Sequence, residues 1–416
     1  MNSENSRKQF FIGILIGVLI MIVVTLITVL MVIRHYSKED VGAGTFVSPD
    51  TSLLDEETVL KIEQIQAYLN ENSILDTDED SLREGLFQGI LEGTGDKYCQ
   101  YFTPEEIKEL MGDYGGTFFG IGATLSMEND SPVIQKIYKD SPAEKAGLLA
   151  GDVIHTVDGI DITGMDLNEV VSMIRGDKDT SVVIGVWRDS TDEIKCTAIR
   201  DEIVVEVIEY EMKEDGIGYI HIEEWYDTTP SQFSDAYKDL QTQGMDRGLI
   251  VDLRSNTGGL LSSVLDVLRQ LLPNGPMLYV EDSKGNRDSY NNNAETDGID
   301  IPVVILTNGY TASASEIFTG AMKDYDKAIS IGTKTYGKGV VQSFFYLADG
   351  SCIKFTTEQY FTPKGTALDG TGIEPDIELA LDADAYLDED NPVDNQLEKA
   401  IEYLKENGAG ETDIAA

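Results

Sequence analysis

Two short strings in this chain hold residue types that can do chemistry. Gly332-Thr333-Lys334-Thr335-Tyr336-Gly337-Lys338-Gly339-Val340-Val341-Gln342 sets a lysine between two glycines, directly ahead of an apolar, β-branched run. Upstream, Thr311-Ala312-Ser313-Ala314-Ser315-Glu316 falls where a strand pattern gives way to a helix pattern. A serine that opens a helix has free backbone N–H groups and the positive end of the helix dipole beside it. Both favour deprotonation and a developing oxyanion. A lysine acts as a base only if its pKa falls by several units from about 10.4, and burial away from carboxylates does this. No acid lies within ten residues of Lys338 on either side. Gln342, four residues on, is spaced to orient an amine. The plainer readings are a capping box over Ser313 to Glu316 and a solvated turn lysine at 338. A third string, Ser255-Asn256-Thr257-Gly258-Gly259, is a strand-to-helix turn whose glycines let N–H groups approach a substrate, or simply a tight turn. Together the two turns offer donors from two helix starts, as an oxyanion hole requires.

Other chemistries fit poorly. The lysine string nearly matches a phosphate-binding loop. However, glycine follows the lysine where Ser or Thr should hold magnesium, and a strand follows instead of a helix. A Ser-His-Asp triad needs an imidazole, and the three histidines are badly placed. His35 borders an apolar run, His155 lies in a glycine-punctuated β region, and His221 sits mid-strand. Without an HxxxH pair or a CxxC pair, no metal site or other cofactor is expected. Cys99, Cys196 and Cys352 read as buried small apolar residues. The net charge of -44, from 31 basic and 75 acidic residues, argues against a nucleic-acid partner.

The elements that must position these residues follow from patterning. Residues 10–33 form a run without charge, which at about 1.5 Å per residue spans roughly 36 Å, enough to cross a bilayer. It exceeds the apolar core of a cleaved signal peptide, so an uncleaved anchor is expected, with residues 1–9 inside and the globular part outside the cytoplasm. Residues 34–50 read as a polar linker, and 51–112 as a helical region. Residues 113–200 alternate short strands with helices near 141–147 and 167–175. This unit resembles a PDZ domain in Phe119-Gly120-Ile121-Gly122, Ser141-Pro142-Ala143-Glu144-Lys145-Ala146-Gly147-Leu148, Gly151-Asp152-Val153-Ile154 and Asp158-Gly159. Residues 201–383 alternate strands and helices, an α/β core. Residues 384–416 read as an acidic tail with one helix, 397–404. The apolar stripes of 53–70 and 397–404 either pair two chains into a homodimer or pack within one chain.

The whole resembles the carboxy-terminal processing peptidases, the tail-specific serine proteases of family S41. The resemblance covers roughly residues 55–380 and rests on the serine, lysine and glycine strings with a PDZ unit before them. It implies an α/β protease core of crotonase- and Clp-protease-like ββα units and a serine–lysine dyad without metal or cofactor. The family nucleophile falls on Ser313, the base on Lys338 and the supporting glutamine on Gln342. The oxyanion donors fall on the Ala314 N–H and on Gly258, with Gly259 close behind. The PDZ unit would take a protein C-terminus on the Gly120, Ile121 and Gly122 loop, against Leu167, Val171 and Ile174. Arg175 is a candidate link between PDZ and core. Thr311 departs from the usual serine at the head of the string, but that position is not the nucleophile. The expected function is a membrane-anchored serine endopeptidase that recognises C-termini. The alternative is a membrane-tethered PDZ scaffold on an inactive protease fold.

Overall fold

The computed structural model describes residues 53–188, 192–295, 297–388 and 392–408. The expected anchor at 10–33 lies outside them. Among the described residues no helix is long and apolar enough to cross a membrane. The chain divides into a unit ending at Leu86 and a larger one from Phe87 onward. In the first, the Glu56–Asn72 helix starts where the Asp55 side chain accepts the Thr58 N–H at 2.8 Å. None of its residues is buried, and Leu54, Leu60 and Ile65 stand exposed.

The larger unit holds two bodies joined by a strap. Thr117–Gly120 runs antiparallel to Asp201–Val204, tying together the two ends of the PDZ unit. Within that unit the sheet order is Ala123–Glu128, Ser131–Ile137, Val153–Val157, Ser181–Arg188, Asp192–Ile199, with Ile160–Asp161 on the third strand. Its core is aliphatic, with Ile134, Ile154, Val170, Val182 and Ile184 fully buried.

The second body is built on a six-stranded sheet, in the order Ile208–Met212, Ile217–Ile222, Gly248–Asp252, Val303–Thr307, Ala328–Gly332, Ile377–Glu378. Only the first pairing is antiparallel. Such strands are covered on both faces, so they read as unbroken apolar runs rather than alternating ones. Leu249 and Val251 point to one side, against the helices Thr229–Thr242, Leu261–Leu271 and Ala314–Asp324. Ile250, Val304 and Leu306 point to the other, where Ala400 and Leu404 of the Asn395–Asn407 helix meet them. The helix expected within an acidic tail is therefore part of the core. Its apolar stripe is used inside the chain and is not left for a dimer.

A second sheet lies alongside. It pairs Gln100–Phe102 with Cys352–Phe361, then Gly275–Asp282 and Arg287–Asn292, and Val340–Tyr346 also pairs with Cys352–Phe361. The strands 340–346 and 352–361 form a long antiparallel pair. The strands at 275–282 and 287–292 were not expected, because polar residues such as Arg287, Asp288 and Asn291 hide the β pattern.

Candidate active site

The serine and lysine strings meet at one carboxylate. Ser313 ends the turn between the Val303–Thr307 strand and the Ala314–Asp324 helix, with φ 54° and ψ −116°. A side chain at such a φ is strained, and strain of this kind collects where a residue must be aimed. Neighbouring bonds hold the turn. Thr311 Oγ1 donates to the Leu253 carbonyl at 2.8 Å, and the Ala312 N–H donates to the Asn256 carbonyl at 3.1 Å.

Glu316, at the third position of the helix, is fully buried and accepts four donors. Its Oε2 takes the Ser313 N–H at 3.0 Å and the Lys338 N–H at 2.8 Å. Its Oε1 takes the Gly337 N–H at 2.8 Å and the Thr335 hydroxyl at 2.5 Å. One oxygen thus joins the backbones of the serine and the lysine. Burial pushes this carboxyl above its ordinary range, and the four donors pull the other way. Tyr360, also buried, adds a second tie: its hydroxyl faces the carbonyls of Ser313, at 3.2 Å, and of Lys338.

The glycines beside Lys338 have a steric reason. A Cβ on Gly339 would lie 2.0 Å from the Asp369 nitrogen, and one on Gly337 would lie 2.9 Å from the Gly372 nitrogen. The 369–372 segment crosses where side chains would be, which accounts for both glycines.

Lys338 itself is half-buried. Its amine is pushed below the ordinary lysine range, first by burial, then by Lys354 and Lys97, with Asp96 and Glu316 opposing. Among the described residues, no carboxylate ion-pairs with it and no hydrogen bond joins Nζ to Ser313. Nζ rests 4.6 Å from the centroid of the Tyr98 ring.

The other expected residues divide. A Cβ on Gly258 (φ 114°) would lie 2.8 Å from Ser313 Cβ and 3.2 Å from the Ala314 nitrogen, so the glycine turn abuts the serine turn. However, the Gly258 N–H, the first choice as an oxyanion donor, is taken by Asn256 Oδ1 at 2.9 Å. Among the described residues, the N–H groups of Gly259 and Ala314 have no acceptor. Gln342 does not reach Lys338. Its amide nitrogen lies 3.4 Å from both the Val340 carbonyl and Thr356 Oγ1, at a register shift in the strand.

The PDZ groove, of about 230 Å³, is lined by Gly120, Ile121, Gly122, Val171, Ile174 and Arg175. Leu167 is not in its lining, and Phe118, Leu125 and Tyr138 are. Gly122 has φ 77°, and a Cβ there would meet Ser141 Cβ at 2.5 Å, so only glycine fits the loop. The Arg175 guanidinium sits 5.1 Å from the Phe118 ring, on the strap that joins PDZ to core.

Sequence reasoning missed three contributors. Glu316 was visible as a capping residue, but its bonds to residues 335–338 are non-local. Tyr360 and Asn256 carried no local signal. His155 stacks on Trp187 in the PDZ sheet at 4.5 Å, away from the serine.

The profile of Peptidase family S41 matches residues 216–379, and that of the PDZ domain matches residues 133–188. A "Probable CtpA-like serine protease" of Staphylococcus epidermidis is 36% identical over 323 residues, covering 77% of this chain and 65% of the relative. A protein of the same description from Staphylococcus aureus is 35% identical over 327 residues, 78% of this chain and 65% of the relative. The chain thus spans 65% of the length of these relatives. Among solved structures, the photosystem II D1 C-terminal processing protease is similar at 27% identity and a TM-score of 0.45, over 77% of this chain and 86% of that one.

Proposed function

We propose, starting from a chain that belongs to peptidase family S41 and carries a PDZ domain, that it is a serine endopeptidase using Ser313 as nucleophile and Lys338 as base. The observation that carries this reading is the shared Glu316 oxygen, which holds the backbones of both residues, together with an amine free of any carboxylate partner among the described residues. Neutral Lys338 takes the Ser313 proton as Oγ attacks the peptide carbonyl. The oxyanion forms against the N–H groups of Ala314 and Gly259. Lys338 then gives its proton to the leaving amine, and water, deprotonated in turn by Lys338, releases the acyl group from Ser313. For this the lysine side chain must turn from the Tyr98 ring toward Ser313.

The PDZ groove receives the substrate's free C-terminus as an added strand, its carboxylate against the Gly120, Ile121 and Gly122 loop. Residues 10–33 anchor the chain in the membrane, with the catalytic part outside the cytoplasm. The missing Ser313–Lys338 hydrogen bond favours the rival reading, a PDZ scaffold on an inactive fold.

The full chain in detergent, given an unfolded protein with an apolar C-terminus, separates the two. The peptidase cleaves the free-carboxylate form about tenfold faster than the same substrate amidated at its end, a difference of about 1.4 kcal/mol in recognition. Equal rates would end the claim of C-terminal recognition. No cleavage of either form would favour the scaffold.

A further inference from the structure

The cleft beside the dyad contains a contact that the mechanism leaves unused. Lys338 Nζ lies 4.6 Å from the Tyr98 ring centroid, and Lys97 Nζ lies 4.7 Å from the same centroid. Asp96 fixes the backbone of the turn that carries the ring. Asp96 Oδ1 accepts the Tyr98 N–H at 2.9 Å, and Asp96 Oδ2 accepts the Thr356 N–H at 2.8 Å. The next residues, Gln100–Phe102, pair with Cys352–Phe361, the strand that also pairs with the one following Lys338. The turn bearing Tyr98 is therefore bolted to the same sheet as the lysine loop.

We propose that Tyr98 is a positioning residue of the dyad: its ring seats the Lys338 ammonium at rest and sets the pH at which that amine is released for proton transfer. The inference rests on the serine–lysine reading and deepens it. An aromatic face attracts an ammonium through its quadrupole and holds a neutral amine far less. When the ammonium gives one proton to solvent, the attraction is lost and the side chain is free to turn to the Ser313 hydroxyl.

The other groups facing this amine pull in both directions. Lys97 from the same turn and Lys354 from the 352–361 strand disfavour the charged form, as does burial. Asp96 and Glu316 favour it. Glu316 is already occupied by its four donors, and Asp369 accepts the Gly339 N–H at 3.2 Å. Lys97 also lies 5.7 Å from the Tyr336 ring. Tyr98 is thus the group on which Nζ rests.

The test compares the full chain in detergent with Tyr98→Leu, Tyr98→Phe and Tyr98→Trp. Two readings are taken across pH: kcat/KM on an unfolded substrate, and the rate at which acetic anhydride acylates Lys338, followed by peptide mass spectrometry. Tyr98→Leu should lower the acid midpoint of both by roughly half to one pH unit. Tyr98→Phe, which keeps the ring, should leave it in place, and Tyr98→Trp should raise it. The Phe and Trp pair decides the matter if the Leu variant does not fold. Leu and Phe variants with one common midpoint, or a Trp variant with a lowered one, would overturn the proposal. The acylation reading needs no turnover. A chain that never cleaves but shows these shifts keeps the seat and loses the peptidase reading. A chain that cleaves without them keeps the peptidase and loses the seat.

Discussion

At residue 338 the fold carries a cost in stability. Burial and two neighbouring lysines hold this amine below its ordinary value. The folded chain therefore binds fewer protons there than the unfolded chain does between the depressed value and 10.5. Stability rises with pH across that window, and the full cost is present below it. Lys338→Met removes the cost and keeps the apolar stem. It should melt above the wild type at pH 7, with the gap closing toward pH 10 in calorimetric scans. A variant that melts lower at pH 7 would mean the lysine supports the fold instead. The sequence spacing captured only part of this environment. No acid lies near Lys338 along the chain, yet Asp96 and Glu316 reach it from distant segments. The lack of neighbouring acids along the chain was the legible part of that setting. The Tyr98 ring and Lys354 were not, because pairing between distant strands brings them in.

At the scale of elements, two turns and one loop are fastened as a single piece. Glu316 does this by being both a capping residue and an anchor for residues 335–338. Tyr360 ties the same two backbones from the opposite strand. The loop can pass so close only because Gly339 has no side chain. Gly339→Ala forces a methyl against backbone at 2.0 Å, which cannot give way as a side chain end would. It should lower stability by roughly 1–3 kcal/mol or more, measured by thermal or urea unfolding. Gly370→Ala, where φ is +68° but space is open, is the control for backbone strain alone. Equal losses in the two variants would contradict the steric account. The glycine, serine and lysine strings were visible as strand-to-helix or loop punctuation. That the Gly258 N–H is already taken by Asn256, leaving Gly259, depends on a side chain whose rotamer no sequence pattern fixes.

At the scale of the whole molecule, most of the order was legible because apolar runs report it. Buried parallel strands such as 248–252 and 303–307 are apolar on both faces, and the PDZ unit announces itself by turn glycines. The C-terminal helix was legible from its apolar stripe, and of the two uses expected for that stripe the fold takes packing within the chain; acidic surroundings masked its place in the core. In the fold, Arg254 beside the glycine turn pairs with Asp252 at 2.6 Å and with Asp394 at 2.7 Å, just ahead of that helix. The strap of 117–120 with 201–204 brings the two ends of the PDZ unit together.

The proposed dyad sets the Lys338 amine, held below the ordinary lysine range, to act on the Ser313 hydroxyl. The direct measurement is the rate at which the full chain cleaves an unfolded substrate, compared with Lys338→Ala at the pH of highest activity. Loss of a general base predicts a fall of roughly 10²–10⁴-fold, with PDZ peptide binding unchanged. Cleavage by Lys338→Ala at the wild-type rate, abolished by Ser313→Ala, would contradict the account by leaving the serine in place and its base elsewhere.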